Sequence, residues 1–385
     1  MNLIGEHVDY NDGLVLPFAI DRSVMCAWAL WEGIESRAGD EETYVEGAPT
    51  STLHVYSLEN HNEYVLSTIA PDAHEWDQAR DGDWVDYPTG VVWALVNGGF
   101  GSALRATQMV IGGDVPQGAG LSSSAALEVA VAGALRDASG LPVSDVELAK
   151  LCQRAENEFV GVQSGIMDQF AATLSKRGHA LLIDCRTLAF RHVPLRLEGH
   201  GIAIVIANSG VDRQLMSSAY NERRRECEEA AALLQQRLGR QIPSLRDVSS
   251  DEVEQTGLPE TLHRRARHVV SEIARVAAAV VALERDDYEE LGRLMVESHL
   301  SLREDYEVSS EQLDLLAGLA TAQEYVLGAR LTGAGFGGCT VNLVQAEAVD
   351  AFARDVMAPY RERTGLPAVM YVTAPGDGLR TWRLT

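Results

Sequence analysis

The stretch Pro116-Gln-Gly-Ala-Gly-Leu-Ser-Ser-Ser-Ala-Ala126 decides the fold, because it joins a glycine-rich turn to three consecutive hydroxyl side chains. The alanine-rich run Leu127–Leu135 follows it and is predicted to be helical. Glycines let the backbone approach a ligand closely, and the start of a helix adds partial positive charge. We therefore predict that the stretch binds phosphate groups. An ordinary glycine-serine connection is the alternative, and the stretch alone does not separate the two.

The lysine-containing phosphate loop GxxxxGK[ST] does not occur in the sequence. Its lysine normally reaches the terminal phosphates of a nucleotide. Phosphates bound by this stretch would instead be held by backbone amides, serine hydroxyls and a metal ion.

The charge balance limits the possible partners. The 385 residues include 32 Lys and Arg against 56 Asp and Glu, a formal net charge of −24. A surface this negative repels nucleic acid and anionic membranes, so we expect a small-molecule partner. Signal-peptide features and apolar runs near the roughly 18 residues that span a bilayer are absent from the sequence, which predicts a cytoplasmic protein. The five cysteines are widely spaced without zinc-ligand spacing and are expected to be reduced thiols.

A second glycine-rich segment, Thr332-Gly-Ala-Gly-Phe-Gly-Gly-Cys339, formally satisfies the dinucleotide pattern GxGxxG. That pattern requires a helix after the glycines, whereas the alternating run Thr340–Val344 predicts a strand. A dinucleotide site is therefore excluded. The glycines could bring backbone against a ligand or against the first glycine-rich loop, or could form a simple turn.

Glu6-His7-Val8-Asp9-Tyr10 places two carboxylates and an imidazole within five residues. Clustered short hydrogen-bonding groups suit the hydroxyls of a sugar, and a solvated acidic strand end is the alternative. Farther along, Asp168 lies among apolar neighbours and could accept the proton of a substrate hydroxyl. Glu156 is a hard oxygen donor of the type that Mg²⁺ prefers, although structural ion pairs explain most such carboxylates.

The element pattern predicts an α+β fold in two lobes, with a boundary near residue 200. Strands are predicted at Thr107–Ile111, Ala180–Asp184, Ile202–Ala207 and Thr340–Val344. Helices are predicted at Val143–Val160, Tyr220–Leu238, Leu262–Leu283, Tyr288–Glu297 and Ser309–Ala320, with Ser144 and Glu147 capping the first of these.

Three ordered motifs together resemble a known family. The run Asn2-Leu-Ile-Gly-Glu-His-Val-Asp-Tyr-Asn-Asp-Gly-Leu-Val-Leu-Pro17 closely resembles the galactokinase signature. Pro116–Ala126 and Leu331–Gly338 resemble the second and third motifs of the wider GHMP small-molecule kinase superfamily. The resemblance implies an α+β, two-lobed GHMP kinase fold with the active site in the cleft between an N-terminal lobe, 1–200, and a ferredoxin-like C-terminal lobe, 201–385. It also implies transfer of phosphate from ATP to the C1 hydroxyl of galactose.

The resemblance also assigns roles to residues. It implies that galactose is bound by Glu6, His7, Asp9, Gly165, Asp168 and Tyr220, with Asp168 as the proton acceptor facing the C1 hydroxyl. It implies that the ATP phosphates are bound by Gly118, Ala119, Gly120, Leu121, Ser122, Ser123 and Ser124. Mg²⁺ would be held by Ser124 and Glu156. We expect a monomer, although the sequence does not fix the oligomeric state.

One family feature falls outside this sequence. In galactokinases an arginine precedes the Asn-Leu-Ile-Gly-Glu-His run and pairs with the catalytic aspartate, and its position here would lie immediately before Met1. Either the start was assigned too far downstream, or this is a shortened kinase with impaired activity. We favour the first explanation because the later motifs are intact. We expect an extension carrying the arginine to raise kcat by on the order of 10³-fold, which a comparison of the two chains would check.

Two other functions stay open at this stage. A kinase for a related sugar, such as N-acetylgalactosamine, arabinose or a heptose, would share the ATP chemistry and differ in the sugar pocket. A non-catalytic galactose and ATP sensor is the second alternative. The intact Ser123-Ser124-Ala125-Ala126 run argues against a sensor, because galactokinase-like sensors carry a damaged loop there.

Overall fold

The computed structural model describes residues 1–30, 53–59, 62–66, 76, 82–116, 120–211 and 216–383. The chain divides into two compact units. The first unit contains Met1–Arg22, Pro116–Ser123 and Gly165–Gly378, and the second contains Ser23–Val115, Ser124–Ser164 and Leu379–Thr385. The predicted lobes, 1–200 and 201–385, cut the chain once, whereas it passes between the units at several points. The lobe boundary stays a prediction.

The strands lie in both units. They are β1 (Leu14–Val15), β2 (Val24–Leu30), β3 (Leu53–Ser57), β4 (Asn62–Leu66), β5 (Thr107–Gly113), β6 (His179–Asp184), β7 (Phe190–Pro194), β8 (Ile202–Asn208), β9 (Val326–Thr332), β10 (Cys339–Gln345) and β11 (Val369–Thr373).

The α-helices lie between these strands. They are α1 (Asp86–Leu95), α2 (Ser123–Ser139), α3 (Asp145–Arg154), α4 (Met167–Leu174), α5 (Met216–Leu238), α6 (Ser250–Gln255), α7 (Glu260–Glu284), α8 (Tyr288–Glu304), α9 (Glu311–Thr321), α10 (Val349–Phe352) and α11 (Ala358–Thr364). A π-helical turn, Ala155–Val160, continues α3. No helix within the described ranges is long and apolar enough to cross a membrane.

The second unit contains a four-stranded sheet in the order β2-β5-β3-β4. Strand β5 pairs antiparallel with β2 and parallel with β3. Its alternating sequence places Met109 and Ile111 in the core and Val110 in solvent, as expected for a strand with one buried face. Helix α3 begins where the capping pattern predicts, since the Ser144 side chain accepts a hydrogen bond from the Glu147 amide.

The first unit contains two sheets, β1-β6-β7 and the antiparallel sheet β11-β8-β10-β9. Helix α8 packs closely on β9 through two facing glycines. A methyl group at Gly292 would lie 2.0 Å from the Leu327 carbonyl oxygen, so a larger residue would push the helix off the sheet. This packing fixes the end of β9, from which the third glycine-rich segment begins. The mixture of helices and mostly antiparallel sheets confirms the predicted α+β class.

Candidate functional site

The first motif is held against β1 by main-chain hydrogen bonds. The Leu3 amide donates to the Leu16 carbonyl over 3.2 Å, and the Leu16 amide donates to the Ile4 carbonyl over 3.1 Å. Leu3, Ile4 and Leu16 are fully buried and anchor the segment in the core. The backbone then turns through positive φ angles at Gly5 (105°) and His7 (61°). The polar residues that follow Ile4 are therefore placed by a fixed backbone.

Glu6 is a buried carboxylate surrounded by donors. Its Oε1 accepts hydrogen bonds from the Gly333 amide at 2.8 Å and the Thr332 hydroxyl at 3.0 Å. The Arg330 guanidinium lies 3.2 Å from the same oxygen. Burial raises the pKa of Glu6, and the opposing attraction of Arg330 lowers it by less. Glu6 therefore ties the first motif to the end of β9.

A second buried carboxylate supports the backbone of the motif from below. Glu272 on α7 accepts hydrogen bonds from the Gly5 amide at 2.9 Å and from the Ser298 hydroxyl at 2.7 Å. Burial alone would raise its pKa, but Arg275, 2.7 Å away, and His268 lower the pKa of Glu272 to about 2. It is thus an ionised acceptor that holds the turn at Gly5 in place.

His7 is buried and uses both ring nitrogens within the protein. Nε2 lies 3.2 Å from the Ala334 carbonyl oxygen, and Nδ1 lies 2.8 Å from the Tyr10 hydroxyl. Burial, followed by the neighbouring His268, lowers the pKa of His7 to about 3. The ring is therefore neutral near pH 7. Tyr220 on α5 contributes an aromatic wall, with its ring centre 5.4 Å from both the His7 and the Tyr10 rings.

Asp9 lies against Gly165 and close to Asp168. A methyl group at Gly165 would come within 1.7 Å of Asp9 Oδ2, so only glycine leaves room for the carboxylate. Asp168 is in the first turn of α4. Burial, followed by repulsion from the Asp168 carboxylate, raises the pKa of Asp9 to about 7. The structure thus brings together the two acids that the sequence places 159 positions apart.

The described part of the phosphate-binding stretch is a turn that leads into α2. Gly120 has φ 74° and Ser122 has φ 59°, and α2 begins at Ser123. The third glycine-rich segment lies against it, since a methyl group at Gly333 would be 3.2 Å from the Gly120 carbonyl oxygen. Of the alternatives left open for that segment, contact with the first loop is the one observed. Gly118 and Ala119 lie outside the described residues.

In the second unit, Ser124 and Glu156 meet. The Ser124 hydroxyl donates to Glu156 Oε1 over 3.1 Å, and the Ser164 hydroxyl donates to Oε2 over 2.5 Å. Two hard oxygen donors in contact fit a magnesium ion that completes its shell with phosphate oxygens and water. A cluster of three or more His, Cys, Asp or Glu residues that could form a protein cage for a metal was not found in the described part of the chain.

Several residues of this network carry no local sequence signal. Glu272, His268 and Tyr306 contact the first motif from more than 260 positions away. Arg330 offered one clue, since a fully buried arginine in the apolar strand β9 requires partners, and it donates to the Asn2 and Leu3 carbonyls. Such a cationic residue in a predicted central strand could have been flagged as part of a buried site.

Family models match three parts of this chain. Residues 1–30 match the model described as "Galactokinase galactose-binding signature". Residues 86–176 match "GHMP kinases N terminal domain", and residues 279–362 match "GHMP kinases C terminal". The matched ranges contain the motifs on which the predicted resemblance was based.

Whole-chain relatives agree with these matches. A galactokinase of Roseiflexus sp. is 44% identical over 98% of this chain and 90% of its own length, and one of Thermotoga maritima is 38% identical over 99% and 97%. The crystal structure of Lactococcus lactis galactokinase complexed with galactose covers 98% of this chain and 92% of its own, with 37% identity and a TM-score of 0.87. A Leishmania-type match, "L. major mevalonate kinase in complex with R-mevalonate", shares the fold alone, with 18% identity and a TM-score of 0.62. The chain belongs to the galactokinase family and has the GHMP kinase fold.

Proposed function

We propose that the protein transfers the terminal phosphoryl group of ATP to the C1 hydroxyl of D-galactose, giving galactose 1-phosphate and ADP. The observation that carries this proposal is the buried acidic cluster in the first unit, where Asp9 fits against Gly165 beside Asp168. The curated relatives that match nearly the whole chain are galactokinases, and one solved relative holds galactose. Both support galactose as the substrate.

The sugar ligands proposed are Glu6, His7, Asp9, Gly165, Asp168 and Tyr220. Buried hydrogen-bonding groups discriminate strongly between sugars, because a substrate with a misplaced hydroxyl leaves a polar group unpaired. Asp9 supplies a carboxylate at a position that Gly165 keeps open. Tyr220 supplies an aromatic face beside His7. Since both His7 ring nitrogens bind the protein, its contribution in this arrangement is to place the motif that carries Glu6 and Asp9.

Asp168 is the proposed proton acceptor. Phosphoryl transfer proceeds through a loose transition state and depends mainly on alignment and charge neutralisation. A carboxylate beside the sugar hydroxyl would accept its proton as the new P–O bond forms. A general base of this kind contributes roughly 10²–10⁴-fold in rate.

The residues from Gly118 to Ser124 are proposed to hold the ATP phosphates, using backbone amides at the start of α2. Ser124 and Glu156 are proposed to hold Mg²⁺, which would neutralise phosphate charge during transfer. Glu156 is buried and already hydrogen-bonded to two serines, so its oxygens are in fixed positions. The donor pair agrees with the preference of Mg²⁺ for carboxylate oxygens shared with phosphate and water.

A coupled assay of ADP formation with galactose, ATP and Mg²⁺ tests the proposal, with a panel of related sugars run in parallel. Asp168→Asn should lower kcat by roughly 10²–10⁴-fold, the range of a general base, while galactose still binds in a calorimetric titration. Asp377→Asn is the matched control, because it removes a carboxylate of the same unit that pairs only at the surface, 3.3 Å from Arg177. It should leave kcat unchanged.

Turnover of another sugar in preference to galactose would contradict the substrate assignment. Unchanged turnover in Asp168→Asn would contradict the role of Asp168. Binding of galactose and ATP by the wild-type protein without ADP release would replace the enzyme by a sensor.

A further inference from the structure

A chain of hydrogen bonds runs through the first unit from helix α5 to the third glycine-rich segment. The Tyr306 hydroxyl lies 2.8 Å from the Tyr10 hydroxyl and 3.1 Å from Cys227 Sγ on α5. The Tyr10 hydroxyl also lies 2.8 Å from His7 Nδ1, and His7 Nε2 lies 3.2 Å from the Ala334 carbonyl oxygen. Tyr306 is fully buried, so water does not compete for these partners.

The partners fix the direction of each hydrogen bond. A carbonyl oxygen can only accept, so the neutral His7 ring carries its proton on Nε2 and donates it to Ala334. Nδ1 must then accept from the Tyr10 hydroxyl. The Tyr10 oxygen in turn accepts from the Tyr306 hydroxyl, and the Tyr306 oxygen accepts from the Cys227 thiol, which stays protonated because burial raises its pKa to about 11.

The Tyr306 ring is held in place independently of its hydroxyl. Its centre lies 4.9 Å from the His7 ring and 4.5 Å from the His268 ring. The Arg223 Nε donates to the Tyr306 carbonyl oxygen over 2.8 Å. Tyr306→Phe should therefore keep the packing and remove a single hydroxyl, which separates the hydrogen-bond chain from the structural role of the ring.

We propose that Tyr306 is a positioning residue of the sugar site. Acting through Tyr10, its hydroxyl holds His7 in the Nε2-protonated form that fastens the first motif to the third glycine-rich segment at Ala334. The inference rests on the proposed function, because the motif positioned in this way carries the proposed sugar ligands Glu6 and Asp9. Tyr306 itself lies outside the three motifs and has no assigned role.

The binding experiment measures the galactose Kd for Tyr306→Phe, Tyr10→Phe and the double variant. Tyr306→Phe should raise the Kd about fivefold, the effect of losing one hydrogen bond, and should leave the ATP Kd unchanged. Because Tyr306 acts only through Tyr10, the double variant should bind no more weakly than Tyr10→Phe alone. Tyr360→Phe is the matched control, since its fully buried hydroxyl donates 2.9 Å to the Ser209 carbonyl, away from the chain. It should not change the galactose Kd.

A second measurement reads His7 directly and does not depend on the sugar. In the ¹⁵N spectrum of histidine-labelled protein, with His7 assigned by loss of its signals in His7→Gln, the ring should be neutral and protonated on Nε2. The Nδ1 resonance should shift in Tyr306→Phe and Tyr10→Phe and stay in place in Tyr360→Phe. If the wild-type protein does not bind galactose, the proposed function fails, and these spectra still test the hydrogen-bond chain.

The inference is overturned by an Nδ1-protonated or charged His7, or by an unchanged His7 spectrum in Tyr306→Phe. It is also overturned if the effects of Tyr306→Phe and Tyr10→Phe on the galactose Kd multiply in the double variant. An equal Kd change in Tyr360→Phe would show that any lost buried hydroxyl has the same effect and would likewise overturn it.

Discussion

Replacing Asp9 by asparagine should stabilise the protein while it weakens sugar binding. Burial and the neighbouring Asp168 carboxylate raise the pKa of Asp9 from 3.8 to about 7. A raised pKa in the folded state means that the ionised form is disfavoured by folding. The contribution of Asp9 to stability is therefore fully present below pH 4 and is lost as the pH rises through 7.

The size of the effect follows from the pKa difference. At 1.36 kcal/mol per unit, a shift of about three units costs the wild-type protein about 4 kcal/mol above pH 7, as an upper limit. Asparagine has the same shape and cannot ionise, so it should recover roughly 2–4 kcal/mol of unfolding free energy at pH 8. For a chain of 385 residues this corresponds to a rise in Tm of roughly 3–5 °C. At pH 5 the gain should be less than half as large.

Thermal unfolding of both proteins between pH 5 and pH 8 measures this gain, and calorimetry measures the galactose Kd. The Kd should rise at least about tenfold, because a charged acceptor is lost. Asp12→Asn is the matched control, since Asp12 belongs to the same motif but forms an exposed ion pair with Arg186. It should give no stabilisation at pH 8. A gain for Asp9→Asn that is absent, or equal at both pH values, would refute the electrostatic reasoning.

Two further substitutions test the two units separately. Gly165→Ala should raise the galactose Kd at least about tenfold, because its methyl group would displace the Asp9 carboxylate, whereas Gly318→Ala, in open space, should leave the Kd unchanged. An unaffected Kd for Gly165→Ala would contradict the contact with Asp9. Glu156→Gln should raise the Mg²⁺ concentration needed for half-maximal turnover at least about tenfold at an unchanged galactose KM, with exposed Glu158→Gln as control. Equal Mg²⁺ dependence in both variants would exclude Glu156 as a ligand.

The elements were predictable where a local period exists. The predicted helix Tyr220–Leu238 lies within α5, and the predicted strand Thr107–Ile111 lies within β5, because the pattern of apolar residues reports which face is buried. Helix α4, which carries Asp168, was not predicted. With eight residues it is too short to show a clear helical period.

The candidate site was predictable only where its residues are close in sequence. Glu6, His7 and Asp9 stand together in the first motif, and the comparison with galactokinases agrees with that reading. Their partners could not be found in this way, because Glu272 reaches the Gly5 amide across 267 positions and Arg330 reaches Asn2 across 328. Such pairings depend on the packing of α7 and β9, which the local pattern does not encode.

The first motif shows why so many buried polar residues surround a few proposed sugar ligands. His7 has a positive φ, which is unfavourable for a residue with a side chain, and Asp9 is a carboxylate beside another carboxylate. Both features cost stability, so they persist only where surrounding contacts determine the conformation. Glu272 binds the backbone before His7, and Glu6 and the His7 ring bind the third glycine-rich segment after it. The motif is therefore fixed before the sugar arrives, and binding energy need not be used to order it.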